Sequence, residues 1–408
     1  MVKIALLYFI NTNFLKLNKT FSIFLLAFFI MHVTFAQKYK KIHDKAIVID
    51  THNDILNKCF DRGYSFDQNL AGKSHSDLQR FKEGGIDVQI FSIWCDGLKK
   101  NPFTYANRQI DTLYATALRN PDKMAVVFTS QELLKTVQKK KLAGMIGIEG
   151  GHMIENDIAK LDSLYKRGAR YMTLTWNNSS PWATSAMEET NDSLLHQPKG
   201  LSNFGKNIVK RMNQLGMLVD LSHVGERTFW DAINTTTKPV LVSHSCVYSL
   251  APAFRNLKDD QIIAVGKNSG VIHLNFYSGF LDSTYTRKDD TFSKRHQTEK
   301  DSLLKINAEP YFAKEYLYEK YYDEVQAMRA PFPLLFDHID YIVKLIGVDH
   351  VGLGSDFDGI NSMPQGLNGV TDFPLITKEL LLRGYSKTDI RKILGGNFLR
   401  ILKANEKK

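Results

Sequence analysis

Residues 217–244 decide the fold, and they read MLVDLSH, then VGERTFWDAINTTTK, then PVLVSH. The first and last of these runs are apolar and β-branched and end in Ser-His, whereas apolar residues between them, such as Phe229 and Ile233, have helical spacing. A strand, a helix and a second strand form one βαβ unit with parallel strands. His223 and His244 therefore project from the carboxyl ends of neighbouring strands, where α/β barrels and open sheets place their sites.

Two histidines at one edge of a sheet suggest half of a metal centre, because imidazole is the commonest protein ligand for zinc and similar metals. A single His at a strand end more often only makes hydrogen bonds. The metal interpretation therefore depends on whether the chain supplies further ligands at the same edge.

The first and third predicted strands supply such ligands. The first ends in DTHND, where His52 and Asp54 point the same way if the segment is extended, although turn formation by Asp54 is an alternative. The third ends in GIEGGH, where Glu149 precedes two glycines. A buried Glu needs a cation or a hydrogen-bond network, and its two oxygens can bridge two metals. For His152 a structural or supporting role is favoured over metal binding.

The last predicted strand, in HVGLGSDFDG, supplies a candidate acid/base. Two metals with a bridging hydroxide would hold a nucleophile at neutral pH and polarise a carbonyl. Asp356 could take the hydroxide's proton and pass it to the leaving amine, whereas Asp358 fits a turn before Gly359. Arg255, eleven residues after His244, could hold a substrate carboxylate through two hydrogen bonds, or it could form a surface ion pair.

The pattern along the chain predicts a parallel barrel. Eight strand-like runs occur, at Ala46–Asp50, Gly85–Trp94, Leu142–Ile148, Arg170–Thr175, Met217–Leu221, Pro239–Ser243, Gly270–Phe276 and His350–Ser355. Between them, helices are predicted at Arg108–Arg119, Ile158–Arg167, Gly205–Leu215, Asp259–Lys267 and Phe336–Ile346. Near-continuous apolar strands that alternate with helices indicate a parallel sheet covered on both faces. Eight such units favour a (β/α)₈ TIM-type barrel over an open sheet.

The segment 283–330 interrupts this alternation after the seventh predicted strand. It is rich in Lys, Asp, Glu and Tyr and predicts one or two charged helices inserted over the mouth of the barrel. We therefore predict a single barrel domain over residues 37–408 with this one insertion.

Residues 1–36 have the pattern of a secretory signal peptide. Three lysines precede an apolar run at 21–36, no acidic residue occurs, and small residues at its end predict cleavage before Gln37. The run has 16 residues and contains His32, which is short for the roughly 20 residues that span a bilayer, so an uncleaved anchor is the less favoured alternative. We predict an exported protein, periplasmic or extracellular, with no stable membrane span after cleavage.

Charge and cysteine content exclude other classes. The net formal charge is +10, but no dense Lys/Arg block with interleaved aromatic residues occurs, so nucleic-acid binding is not predicted. The three cysteines, Cys59, Cys95 and Cys246, lack CxxC spacing, which predicts neither a zinc finger nor a disulfide framework and leaves a single bridge open.

Together these motifs resemble the renal (membrane) dipeptidases, zinc-dependent peptidases with an amidohydrolase-like barrel. The resemblance covers residues 41–400 and is carried by IDTHNDI, SHSDLQRFKEGGIDVQIFSIW, GIEGGH, RYMTLTWNNSSPWA, VDLSH, SHS with the following RNLKDDQI, and DHIDYIVKLIGVDHVGLGSDFDG. It implies hydrolysis of dipeptides, with tolerance of a D-residue at the carboxyl-terminal position, in an enzyme that is a homodimer. Some members also open certain β-lactams.

The resemblance also implies a role for each site residue. Two Zn²⁺ ions per chain are expected, with Glu149 bridging between a His52–Asp54 pair and a His223–His244 pair. By the same resemblance, Arg255 would anchor the carboxylate of the dipeptide and Asp356 would act as the acid/base.

One position departs from the family pattern. Where the family has TLTH, with a His that orients the scissile carbonyl or stabilises its oxyanion, this chain has TLTW with Trp176. Indole only donates hydrogen bonds. Either Trp176, Asn177 or Asn178 takes over that function, or the substrate differs. A zinc amidohydrolase for another small acyl-amino acid or lactam and a non-catalytic metal-containing binding protein are therefore the alternatives to a dipeptidase.

Overall fold

The fold is a parallel barrel, and the computed structural model describes residues 37–191, 199–306 and 310–407. The nine strands are β1 (Ile49–Asn53), β2 (Val88–Ile93), β3 (Met124–Val126), β4 (Leu142–Glu149), β5 (Ala169–Thr173), β6 (Leu218–Asp220), β7 (Leu241–Ser245), β8 (Val271–Leu274) and β9 (Val351–Leu353). They pair in the order β1-β2-β4-β5-β6-β7-β8-β9, with every pairing parallel, and β3 pairs with the beginning of β4.

Hydrogen bonds between the ends of β1 and β9 nearly close this sheet. The backbone N–H of Asp54 donates to the carbonyl of Phe357 at 2.9 Å, and the N–H of Asp356 donates to the carbonyl of His52 at 3.1 Å. The hydroxyl of Thr51 donates to the carbonyl of Leu353 at 3.1 Å. The eight predicted strands all occur as barrel strands, which confirms the (β/α)₈ prediction.

Helices cover the outside of the barrel. The α-helices are Ile55–Arg62, Leu78–Glu83, Pro102–Arg119, Ser130–Gln138, Ile158–Lys166, Ala186–Glu189, Asn203–Leu215, Glu226–Thr235, Asp259–Lys267, Ser278–Leu281, Tyr285–Arg295, Gln297–Ile306, Pro310–Lys320, Tyr322–Met328, Phe332–Ile346, Phe373–Leu382, Lys387–Arg391 and Asn397–Asn405. The helix predicted between His223 and His244 is Glu226–Thr235. The five other predicted helices are also present, and three of them begin a few residues earlier than the sequence pattern indicated.

Local signals fix where the helix before β6 begins and ends. The hydroxyl of Ser202 accepts a hydrogen bond from the N–H of Gly205, which caps helix Asn203–Leu215. The helix ends at Gly216, whose φ of 81° is the left-handed conformation that glycine adopts without strain. The chain therefore turns directly into β6.

The insertion was predicted incorrectly in one respect. Within the described residues 283–306 and 310–330, the chain forms four helical segments rather than one or two helices. The segment contains no glycine, and neither His296 nor Tyr321, where helices are interrupted, is a turn-forming residue, so no turn is predicted at these two positions. These helices pack around their own apolar cluster, which consists of Tyr285, Phe292, Leu317, Tyr318, Val325 and Met328.

Ion pairs tie the insertion to the mouth of the barrel. Glu315 lies 3.6 Å from Lys58 and also pairs with Arg62. Both cations belong to helix Ile55–Arg62, which directly follows β1 at its carboxyl end. The insertion therefore lies on the side of the barrel where the predicted site residues converge.

Two further predictions concern the termini and the cysteines. The predicted signal peptide, residues 1–36, lies outside the described residues and stays a prediction. Among the described residues, none of the helices has the length and apolar character needed to cross a bilayer. Cys59, Cys95 and Cys246 are buried free thiols.

Candidate active site

The five predicted ligands meet at the carboxyl end of the barrel, where three histidines surround Glu149 and Asp54 lies beside one of them. Oε2 of Glu149 lies 3.3 Å from Nε2 of His52. Oε1 lies 3.0 Å from Nε2 of His223 and 3.5 Å from Nε2 of His244. Oδ2 of Asp54 lies 3.5 Å from Nε2 of His52. Glu149 thus directs one oxygen toward each side of the cluster.

Tyr171 orients His52, and sequence reasoning missed this residue. Its hydroxyl donates to the carbonyl of Thr51 at 3.1 Å and therefore accepts the proton of His52 Nδ1 at 2.9 Å. Gly147 makes the contact possible, because a Cβ at this position would lie 2.0 Å from the Tyr171 ring. Nε2 of His52 consequently faces Glu149; burial would lower the pKa of His52, but the Tyr171 hydroxyl and the carboxylates of Glu149 and Asp54 raise it well above its ordinary value.

The other two histidines are fixed in the same tautomer. The hydroxyl of Ser243 donates to Asp220 at 2.6 Å, so it accepts the proton of His244 Nδ1 at 2.7 Å. Nδ1 of His223 donates to Oδ1 of Asn177 at 3.0 Å. Both Nε2 atoms therefore direct lone pairs into the cluster, and histidines held in this way are typical of metal sites.

This arrangement needs a cation. The Nε2 atoms of His223 and His244 lie 2.9 Å apart, and with both protons on Nδ1 they cannot hydrogen-bond to each other. Nε2 of His52 is buried and has no hydrogen-bond partner among the residues that the structure describes. Burial, reinforced by the nearby Arg255 cation, lowers the pKa of His223 to about 4. The neutral imidazoles of His223 and His244, whose Nε2 atoms cannot bond each other, therefore fit a metal ion beside the carboxylate of Glu149.

The central carboxyl group is ionised despite its burial. Burial would raise the pKa of Glu149, but the charge of His52 and polar contacts with the three surrounding histidines hold it well below its ordinary value. Ser92 also donates a hydrogen bond to Oε2 at 3.0 Å. Glu149 is therefore ionised and available as an anionic ligand.

Asp356 lies beside the cluster with a perturbed pKa. Its Oδ1 is 4.0 Å from Nε2 of His52, and its Oδ2 accepts a hydrogen bond from Asn275 at 2.7 Å. Burial raises the pKa of Asp356 to about 8, against the effect of His52 and with the help of the carboxylates of Asp54 and Glu149. A carboxyl group that exchanges its proton near neutral pH fits the predicted acid/base.

Hydrogen bonds made by Asp358 hold the backbone next to Asp356. Asp358 accepts hydrogen bonds from the N–H of His75, at 2.8 Å, and from the hydroxyl of Ser76. Its own N–H donates to Nδ1 of His75 at 2.9 Å. Asp356 and Asp358 have φ values of 61° and 67°, which are strained for residues other than glycine. Asp358 is thus part of a turn, as predicted, and lies outside the metal-ligand cluster.

Arg255 is buried at the site, so the alternative of a surface ion pair is wrong. Its side chain donates to the carbonyl of His244 at 2.8 Å and lies 4.7 Å above the ring of Phe280. Its Nε is buried without a hydrogen-bond partner in the described chain. A buried guanidinium with an unused donor fits a site for an anionic ligand.

Trp176, where the chain departs from the family pattern, and the residues around it occupy different places in the site. Trp176 is half-buried on the rim, and Asn177 supports His223 through its side-chain oxygen. The side chain of Asn178 donates to the carbonyl of Ser179 at 3.4 Å. His152 donates from Nε2 to the carbonyl of Cys95 at 3.0 Å, which agrees with the supporting role favoured from the sequence.

Removal of the Tyr171 hydroxyl tests the orientation of His52. We expect Tyr171→Phe to weaken metal binding by about 10- to 100-fold, because His52 loses the partner that fixes its tautomer. Titration of the metal-free protein against a chromophoric chelator measures the effect. Tyr114→Phe is the matched control, since its hydroxyl bonds the carbonyl of Arg167 away from the site. Equal affinities in both variants and the native protein would contradict this role.

Comparison with known proteins identifies the family. A profile described as membrane dipeptidase, peptidase family M19, matches residues 36–408. The chain belongs to the membrane dipeptidase family. It is 32% identical over 391 residues to an uncharacterized dipeptidase of Schizosaccharomyces pombe, an alignment that covers 91% of this chain and 83% of that protein. As a member of this family the chain is a metallopeptidase that hydrolyses peptide bonds in dipeptides.

Solved structures share the fold. The probable dipeptidase PvdM from Pseudomonas aeruginosa superposes with a TM-score of 0.74 at 23% identity, over 91% of this chain and 98% of that one. A metallopeptidase from Rhodobacter sphaeroides, liganded with a phosphinate mimic of the dipeptide L-Ala-D-Ala, gives a TM-score of 0.71 at 22% identity, over 89% of this chain and 100% of that one. The barrel assignment is thus confirmed by structures of distant sequence.

Proposed function

We propose that this metallopeptidase is an exported dipeptidase with two zinc ions per chain. One ion would be held by His52, Asp54 and Glu149, and the other by His223, His244 and Glu149. The observation that carries this proposal is the convergence of the Nε2 atoms of three buried histidines on the two oxygens of one ionised carboxylate. Nitrogen and carboxylate ligands are the ones that zinc prefers at catalytic sites.

Residues of the protein itself would then bind the substrate and transfer the proton of the attacking water. Zinc ions bound at this cluster would polarise the scissile carbonyl and activate a water molecule. Arg255 would hold the carboxylate of the dipeptide, since its guanidinium is buried beside the cluster with an unused N–H. Asp356 would take a proton from the attacking water and deliver it to the leaving amine, as its position next to His52 and its raised pKa allow.

Three finer statements belong to the same proposal. We propose tolerance of a D-residue at the carboxyl-terminal position, which the family resemblance suggests and which the ligand of the Rhodobacter sphaeroides peptidase supports by analogy. A homodimer is proposed from the resemblance. Export is proposed from the signal-peptide pattern of residues 1–36.

A dipeptide panel tests the proposed activity. The chain from Gln37 onward, loaded with zinc, should hydrolyse L–L and L–D dipeptides with a free carboxyl terminus. Turnover would be measured as the amount of free amino-terminal residue that is released. If protein shown to bind two ions per chain hydrolysed none of the dipeptides, the proposal would be contradicted. Hydrolysis of another acyl-amino acid or of a lactam would then be favoured.

The role of Arg255 predicts a specific defect. We expect Arg255→Met to lower kcat/KM for free dipeptides by about 10- to 100-fold, because a charged hydrogen bond to the carboxylate is lost. For the same dipeptides with amidated carboxyl termini, the variant and the native enzyme should differ little. Arg211→Met, which removes an ion pair with Asp162 on the outside, is the matched control. An equal loss for free and amidated substrates would show that Arg255 acts otherwise.

A further inference from the structure

The loops that follow β2 and β5 meet above the end of β4. The indole rings of Trp94 and Trp176 pack edge to face, with centroids 4.9 Å apart and an interplanar angle of 65°. Farther along the same loops, a Cβ at Gly97 would lie 2.3 Å from Cγ of Asn178, so the Asn178 side chain packs against the Gly97 backbone. The two indoles therefore form one aromatic surface, which we call the tryptophan wall.

The tryptophan wall borders the metal-ligand cluster. Trp94 comes two residues after Ser92, whose hydroxyl donates to Oε2 of Glu149. Trp176 directly precedes Asn177, which holds His223. The Cβ of Trp176 would lie 3.3 Å from a Cβ added at Gly150, the residue after Glu149. Both indoles are half-buried, so part of each remains accessible at the rim.

Trp94 follows the strand that lies across the barrel from the one preceding Arg255, and Trp176 lies between them along the rim. In the strand order β2 is four strands from β7 and β5 is two strands from it, and Arg255 is carried by the loop after β7. A dipeptide whose carboxylate binds Arg255 and whose peptide bond lies at Glu149 directs its amino-terminal residue toward β2 and β5. The side chain of that residue then meets Trp94 and Trp176.

We infer that the tryptophan wall receives the side chain of the substrate's amino-terminal residue and selects large apolar, and above all aromatic, side chains. This inference rests on the proposed dipeptidase function. Indole offers a broad apolar surface that pairs favourably with aromatic rings, and covering it removes that surface from water. Nε1 of Trp94 is buried and indole carries no hydrogen-bond acceptor, so the accessible part of that ring is its apolar carbon surface.

A set of dipeptides that differ only at the amino-terminal position tests the inference. With alanine as the second residue and Phe, Leu, Gly or Lys as the first, the native enzyme should prefer Phe and Leu over Gly and Lys by about tenfold or more in kcat/KM. In Trp176→Ala this ratio should fall toward one. Inhibition by phosphinate mimics with a Phe-like or Gly-like first residue should show the same change in the ratio of affinities.

Trp230→Ala is the matched control, because that indole packs on Phe229 in an outer helix. It should leave the preference unchanged. Turnover of the panel with no preference, or a preference that survives in Trp176→Ala, would overturn the inference and leave the dipeptidase function standing. Absence of turnover for every dipeptide would overturn both, which makes the two failures distinguishable.

Discussion

Replacement of Asp356 with asparagine should lower kcat for dipeptides by about 10²- to 10⁴-fold, the usual contribution of a positioned acid/base. The amide has nearly the same shape and can still accept the hydrogen bond from Asn275. It cannot exchange a proton with the attacking water or the leaving amine. Substrate and metal affinity should therefore change little. Steady-state kinetics, together with binding of a phosphinate dipeptide mimic, would separate the loss in kcat from any change in affinity.

Asp349→Asn provides the matched control for this experiment. That carboxylate pairs with Lys392 on the surface at 2.7 Å, so its loss should leave kcat unchanged. If Asp356→Asn retained more than about a tenth of the native kcat, a contribution of the size expected for acid/base catalysis would be excluded. Another group would then have to move the proton.

The second large effect is expected at Glu149. Glu149→Gln keeps the shape of the side chain but removes its negative charge, so it cannot bridge two cations. We expect loss of bound metal and a fall in activity of roughly a thousandfold or more, since metal assistance supplies several kcal/mol. Metal content after dialysis and kcat/KM for dipeptides measure both consequences.

A nearby glutamate serves as the control. Glu155→Gln changes the same residue type on the surface, where Glu155 pairs with Lys160. It should retain both metal and activity. Full metal content in Glu149→Gln would contradict the bridging role, even if activity were lost.

Much of the barrel and of the ligand set was predictable because both depend on local pattern. The apolar strands are buried along their whole length, and parallel strands bring their carboxyl ends to one edge. His52, Glu149 and His244 therefore converge although nearly 200 residues of chain separate the first from the last. The order of the strands needed no information beyond the alternation of strands and helices.

The supporting residues could not be predicted, because their contacts depend on the exact placement of distant strands. His52 and Tyr171 are 119 residues apart and meet only because Gly147 leaves room for the phenol ring. Strand β3 was missed; it lies off the barrel order and pairs only with the beginning of β4. The roles of two neighbouring residues could not be distinguished either: Asn177 holds His223, whereas Trp176 lies on the rim.

The central claim is that Glu149 and its neighbours hold two metal ions on which dipeptide hydrolysis depends. The most direct test is to remove metal with a chelator and titrate zinc back while metal content and turnover are measured in the same samples. We predict negligible turnover without metal and recovery that is complete at two zinc ions per chain. Turnover that persists in the metal-free protein, or that is complete at one ion per chain, would contradict the account.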